Sequence, residues 1–228
     1  MSEPGLRPVT VTARSLYDYQ NMFALDDADL MAGPVLDCPG GASSFGAQVR
    51  GGGGRVVSAD PIYALGVGQI TRKVRANLRD APQIFASSAL PIDWDYLGSP
   101  QAYVRASEAA LHLFGADYAQ HGQWYVAAAL PRLPFANRSF RLTLAGHLLF
   151  VYSAQFSFAD HLAVMLELAR VTWAEVRVHP VVDATGAPYA RLAELRGALA
   201  RHGVATEIRP IARTWIAGAA QTLICRRR

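Results

Sequence analysis

The chain has 228 residues, 51% of them apolar and 18% charged, with a mean hydropathy of +0.13. That length suits one domain with a single large core, and the composition excludes a disordered chain. The formal charge of +4 falls to +1 once Arg226, Arg227 and Arg228 are set aside, so no basic nucleic-acid-binding face is expected.

Two cysteines, Cys38 and Cys225, exclude a disulfide framework and a cysteine-rich zinc module. The first residues hold no apolar stretch flanked by positive charge, so no secretory leader is expected. No apolar run reaches the roughly eighteen residues of a membrane span. The expected setting is a bacterial-type cytoplasm with reduced thiols.

Residues 1–15 read as a loose arm. A helix follows over 16–30, with Leu16, Tyr19, Met22, Phe23 and Leu30 on one side. After Gly33 and Pro34, the short apolar run 35–38 reads as a buried strand, stopped by Pro39, Gly40 and Gly41. Ser43 or Ser44 can cap a helix over 45–50. Four glycines, Gly51 to Gly54, make a turn into a second strand over 55–59, closed by Asp60 and Pro61. The order strand, glycine turn, helix, strand, acid argues for parallel strands joined by crossover helices.

Helical stretches are predicted at 66–79 and 101–118, with an aromatic, proline-containing connection over 82–100. A crossover needs about a dozen residues or somewhat more, and this one has about sixty, so 62–123 reads as a helical insertion. Strands then follow at 124–128 and 140–145, with a loop around Leu133 and Asn137 between them. A helix at 158–171, a strand at 176–182 and a helix at 190–202 continue the alternation. Strands at 204–211 and 220–225 lie too close for a crossover helix, so they form a hairpin. The fold class is α/β: a Rossmann-like, seven-stranded, mostly parallel sheet with a C-terminal antiparallel hairpin and a helical insertion.

In such a sheet, ligands bind beyond the carboxyl ends of the strands where the strand order reverses. Small residues at Pro39, Gly40, Gly41 and Ala42 let the backbone approach a ligand, and helix-start amides face the crevice. Asp37 is expected at its mouth, suited to an ammonium group. Asp60, about twenty residues further on, can accept both hydroxyls of a ribose. The turn DCPGGAS departs from the dinucleotide fingerprint, so a nucleoside site is favoured over a dinucleotide one.

The segments VLDCPGGASSFGAQ, RVVSADPIY and LPRLPFANRSFRLTLAGHLLFVYS resemble the class I S-adenosylmethionine methyltransferase fold. They are especially similar to a bacterial subgroup that begins with a segment like YDYQNMFAL. The resemblance runs from Tyr17 to Cys225. It implies one domain over 1–228, with 62–123 as a lid, and S-adenosylmethionine as substrate or methyl donor. It implies that Asp37, Pro39, Gly40, Gly41 and Ala42 hold the methionine end, and Asp60 with Pro61 the ribose. Backbone at Ala129 and Leu130 would line the adenine; many members carry an acid where Ala129 stands. Gln20 can reach the cofactor carboxylate through its amide.

Three reactions follow from that resemblance. In small-molecule methyl transfer, His147 or Tyr152 serves as base. In the second, relatives with the DYQ and CPGGAS pattern look like azetidine-2-carboxylic acid synthases, which cyclise S-adenosylmethionine and release methylthioadenosine. Nucleic-acid methylation is disfavoured, since Ala145, Gly146 and His147 replace the expected motif. The adopted reading is the cyclase, on that resemblance and because no acceptor-binding motif is recognisable, with small-molecule methyl transfer as the alternative.

Aromatic faces would hold the sulfonium, with Tyr17 and Tyr152 singled out beside the strand carboxyl ends. Asn137 is carried as a further candidate contact. The remaining histidines have no metal-ligand spacing, so no metal is expected. Expected partners are a small-molecule substrate, no nucleic acid and no membrane, with the chain a monomer or homodimer.

Overall fold

The structure is a computed structural model that describes residues 10–87, 91–212 and 214–227. Among them, seven strands form one sheet in the order β3-β2-β1-β4-β5-β7-β6. These are β1 (Val35–Asp37), β2 (Val56–Ala59), β3 (Tyr125–Val126), β4 (Phe140–Gly146), β5 (Thr172–His179), β6 (Val204–Pro210) and β7 (Gln221–Arg227). β7 runs antiparallel to both β5 and β6, and the other neighbouring pairs are parallel. The predicted sheet and terminal hairpin are the observed ones.

Pleating sends successive side chains to opposite faces, so Leu36 and Cys38 join the core under α7 (Phe158–Val171) and α8 (Leu192–Arg201). Val35 packs on the other face with α1 (Leu16–Phe23) and α3 (Phe45–Gly51). Capping boxes at Ser15 with Asp18 and at Ser157 with Asp160 start α1 and α7. Ser44 opens α3 without capping it; the Ser43 hydroxyl accepts from Phe45 N instead.

Several predicted bounds move. The helix over 16–30 is two, α1 and α2 (Asp27–Met31), because Ala24 turns left-handed at φ 49° and Asp26 caps anew. The predicted helix at 66–79 becomes α4 (Val67–Ser87) and runs through Pro82, with Ala81 and Phe85 on its cavity side. β3 has only two residues. β5 starts at Thr172, directly after α7, where the Thr172 hydroxyl meets Thr143 at 2.5 Å and donates to Leu168 O at 2.6 Å. The strand predicted at 220–225 runs on to Arg227, so Arg226 lies in β7, 2.6 Å from Glu175 and 2.8 Å from Glu207.

The 62–123 segment holds α4, α5 (Trp94–Leu97) and α6 (Pro100–Gln120). α6 packs on α3, where Asp117 meets the Arg50 guanidinium and accepts from the Tyr125 hydroxyl at 2.6 Å. That is the position of a crossover helix. α4 lies on α6 and forms a wall above the strand ends. The chain before α5 is fastened to the β6–β7 connection, with Asp93 N donating to Trp215 O at 2.8 Å and Ala217 N to Pro91 O at 2.9 Å.

Candidate functional site

A cavity of about 770 Å³ opens at the carboxyl ends of β1, β2 and β4, where the strand order reverses. Its size is near the upper part of the range for small-molecule sites, about 300–1,000 Å³.

Its floor is the turn after β1. Gly40 N donates to Ala59 O at 3.1 Å, and Gly41 N to Asp60 Oδ2 at 2.9 Å. The other Asp60 oxygen accepts from Ile62 N at 2.9 Å. Asp60 thus pins the turn to the end of β2, and each of its oxygens keeps a lone pair for a ligand. Burial raises its pKa, and the two amide bonds oppose that rise. Glycine is required at position 40: a Cβ there would stand 2.5 Å from the Tyr63 hydroxyl and 3.1 Å from Asp37 Oδ2. Gly41 adopts φ +55°, and its carbonyl accepts from the Tyr63 hydroxyl at 2.8 Å.

Asp37 does not reach the cavity. It is 1% exposed, beneath the turn, where Tyr19 donates to Oδ1 at 2.9 Å. Oδ2 has no partner among the described residues. Burial lifts its pKa to about 8, against the hydrogen bond from Tyr19. The reason is the pleat: Asp37 shares a face with Val35, toward α1, whereas Cys38 lies on the opposite face and lines the cavity.

The segment 10–15, read as a loose arm, is a strap across the cavity as far as it is described. Ala42 N donates to Thr12 O at 3.1 Å and Ser44 N to Arg14 O at 2.9 Å. These bonds occupy amides of the turn leading into α3, at Ala42 and at the N-cap Ser44. Thr10 N donates to the Tyr152 hydroxyl at 3.0 Å, and Asn77 on α4 donates to Val11 O at 3.5 Å.

The far wall carries His147, at the end of β4. It is 9% exposed and sits at φ 54°, a left-handed conformation that costs a non-glycine residue about 1 kcal/mol. His147 N donates to His179 O at 2.7 Å, and its ring stacks on Trp215 at 5.2 Å. Neither ring nitrogen has a partner among the described residues. Burial, then the charge of Arg14, hold its pKa well below the usual range, so the ring is neutral. The Arg14 guanidinium lies 5.9 Å from the centre of the Trp215 ring.

Gly40, Gly41, Asp60, Pro61, Pro39, Ala129, Leu130, His147 and Tyr152 all line the cavity. Ala42 sits just behind the turn, fully buried. Tyr17 is 64% exposed and stacks on Tyr96, outside the cavity, because it falls on the outward side of α1. Gln20, on the same helix, is also absent from the lining. Asn137 sits beyond the opposite end of the sheet, before β4, where its Oδ1 accepts from Arg170 at 2.7 Å. The sequence reading missed Arg14, Asn77 and Trp215. The first precedes any periodic element and the last lies in a hairpin connection, so no pattern marked them.

No protein-family model matches the chain. An uncharacterised protein of Methanocaldococcus jannaschii is 25% identical over 186 residues, covering 80% of this chain and 82% of that protein. Among solved structures, the chain is similar to TnmH, with a TM-score of 0.46 and 14% identity over 92% of this chain and 54% of that one. The chain spans about half the length of TnmH. It is also similar to magnesium protoporphyrin IX methyltransferase of Synechocystis PCC 6803 with bound SAM, at TM-score 0.47 and 13% identity, covering 89% and 73% of the two chains. The architecture described above rests on this chain's own strand order.

Proposed function

We propose that the chain is an S-adenosylmethionine-dependent methyltransferase acting on a small molecule. The observation that carries this reading is one continuous cavity that joins Asp60, the Cys38–Gly41 turn and His147, and then extends under α4. The residues fit a nucleoside with an amino-acid tail. Asp60 has lone pairs for two vicinal hydroxyls, Pro61, Ala129 and Leu130 offer small and apolar walls for a purine, and the turn supplies close backbone. Asp37, being buried, takes no part in this contact.

When bound, S-adenosylmethionine would supply a methyl group on a sulfonium, already a strong electrophile. The chain's own work is then to place a nucleophile, exclude water and take a proton. His147 is the candidate base: it is neutral, unpartnered and on the cavity wall. Tyr152 binds the strap through Thr10 and serves closure instead. The strap, α4 and α5 act together as the lid over the site. α5 is held down where Tyr96 donates to Asp18 Oδ1 at 3.3 Å and stacks on Tyr17.

Cyclisation of S-adenosylmethionine to azetidine-2-carboxylic acid needs no second compartment, and the space beneath Val74, Leu78 and Ala81 favours an acceptor. Incubation of the pure protein with S-adenosylmethionine tests the reading. S-adenosylhomocysteine that accumulates only with an added pool of small-molecule acceptors is expected. Methylthioadenosine from S-adenosylmethionine alone would overturn methyl transfer in favour of cyclisation.

A further inference from the structure

Two cations on the cavity wall have no anionic partner among the described residues. Arg14 makes no ion pair: its guanidinium lies against the Trp215 ring, and its charge reaches the buried Asp37, which is bonded to Tyr19 and kept from ionising by burial, while Lys73 stands exposed at the rim on α4. Three other arginines at packed positions have a carboxylate, and the partly buried Arg196 donates to Thr206 oxygens. Arg50 meets Asp117, Arg170 meets Glu167 at 2.7 Å, and Arg177 meets Asp29 at 2.9 Å. A half-buried guanidinium without a counter-charge is costly, which makes Arg14 a site for an anion from outside the fold.

The carboxylate lining this cavity, Asp60, does not fill that role. Its oxygens are bound to the amides of Gly41 and Ile62 at the end of β2. Arg14 instead projects to the β6–β7 connection, beside His147 at the end of β4. Between these cations α4 lines the cavity with the nearly buried Val74, Leu78 and Ala81, with Phe85 beyond, an apolar wall.

We infer that the compartment under α4 binds a second substrate that is a carboxylate with an apolar or aromatic body. Arg14 takes the acid group as a paired acceptor of its N–H fork, with the Trp215 ring beside the guanidinium at 5.9 Å. Lys73 attracts the anion at the entrance. The α4 surface covers the apolar body. The inference rests on the nucleoside reading above for what fills the other end of the cavity.

The test uses benzoate and its neutral isostere benzamide, titrated calorimetrically into the full chain with and without S-adenosylhomocysteine. Benzoate is expected to bind at least about tenfold more tightly, and Arg14→Gln to erase the preference while Arg14→Lys keeps part of it. Lys73→Gln is expected to weaken benzoate less, with an effect that vanishes at high salt. Equal binding of the two probes to the unaltered protein, or no saturable binding of either, overturns the inference. S-adenosylmethionine and its decarboxylated form provide a second arm. If Arg14→Gln weakens the first and not the second, Arg14 holds the cofactor's own carboxylate and the inference falls. If neither S-adenosylmethionine nor S-adenosylhomocysteine binds but the benzoate preference stands, the nucleoside reading fails and this one survives.

Discussion

The Tyr19 hydroxyl donates to Oδ1 of Asp37 across 2.9 Å, in the interior beneath the glycine turn. Tyr19 is held for this contact by stacking on Phe45 at 4.3 Å. The first helix therefore supports the floor of the site from below, without touching the cavity.

Stability should carry the signature of that buried acid. Asp37 is raised from 3.8 to about 8 by burial. The folded chain keeps a proton that the unfolded chain releases, so this contribution is full below pH 3.8 and is lost as pH rises to about 8. Asp37→Asn keeps the shape and never ionises. Thermal melts from pH 5 to 8 should show the unaltered protein losing stability relative to Asp37→Asn. Parallel curves would mean that Asp37 is ionised in the fold.

Gly40→Ala should destabilise the protein by roughly 1–3 kcal/mol, the cost of overpacking a filled interior. The added carbon would stand 2.5 Å from the Tyr63 hydroxyl and 3.0 Å from Ser58 Cβ. Chemical denaturation measures the loss. Unchanged stability would show that the turn relaxes freely.

Asp60→Ala removes the acceptor for two backbone amides and the proposed ribose contact together. Cofactor affinity should fall by roughly 1.5–3 kcal/mol, as for hydrogen bonds to a charged group. Calorimetric titration with S-adenosylhomocysteine reads this directly. Full affinity in a folded variant would remove Asp60 from the site.

His147→Asn separates fold from chemistry. Asparagine tolerates the left-handed backbone at φ 54°, and the unpartnered ring makes no hydrogen bond to lose. The depressed proton affinity of the histidine means that its contribution is lost as pH falls below the usual range. Loss of the stack on Trp215 costs stability near neutral pH, so the ligand-free variant should be the less stable there, with the gap narrowing as pH falls. Methyl transfer should drop by about 10²–10⁴-fold, the usual size of a general-base effect. A variant as active as the original would exclude His147 as base.

Local sequence determined the strands, the glycine turn, Asp60 at the end of β2 and the terminal hairpin, since each follows from short-range periodicity or from a residue that stops it. It also placed His147 at the end of β4, because a strand's end follows from its length. Tertiary structure alone decided what faces the cavity. The pleat turned Asp37 inward and Cys38 toward the ligand space, and packing put Tyr17 outside. The aperiodic segment 10–15 became a strap because carbonyls at Thr12 and Arg14 met the amides of Ala42 and Ser44, in the turn before α3. Arg14, Lys73 and Trp215 come from an N-terminal strap, an inserted helix and a hairpin connection, 14 to 215 in the chain. Sequence periodicity acts over a few residues, and no such pattern can bring those three to one wall.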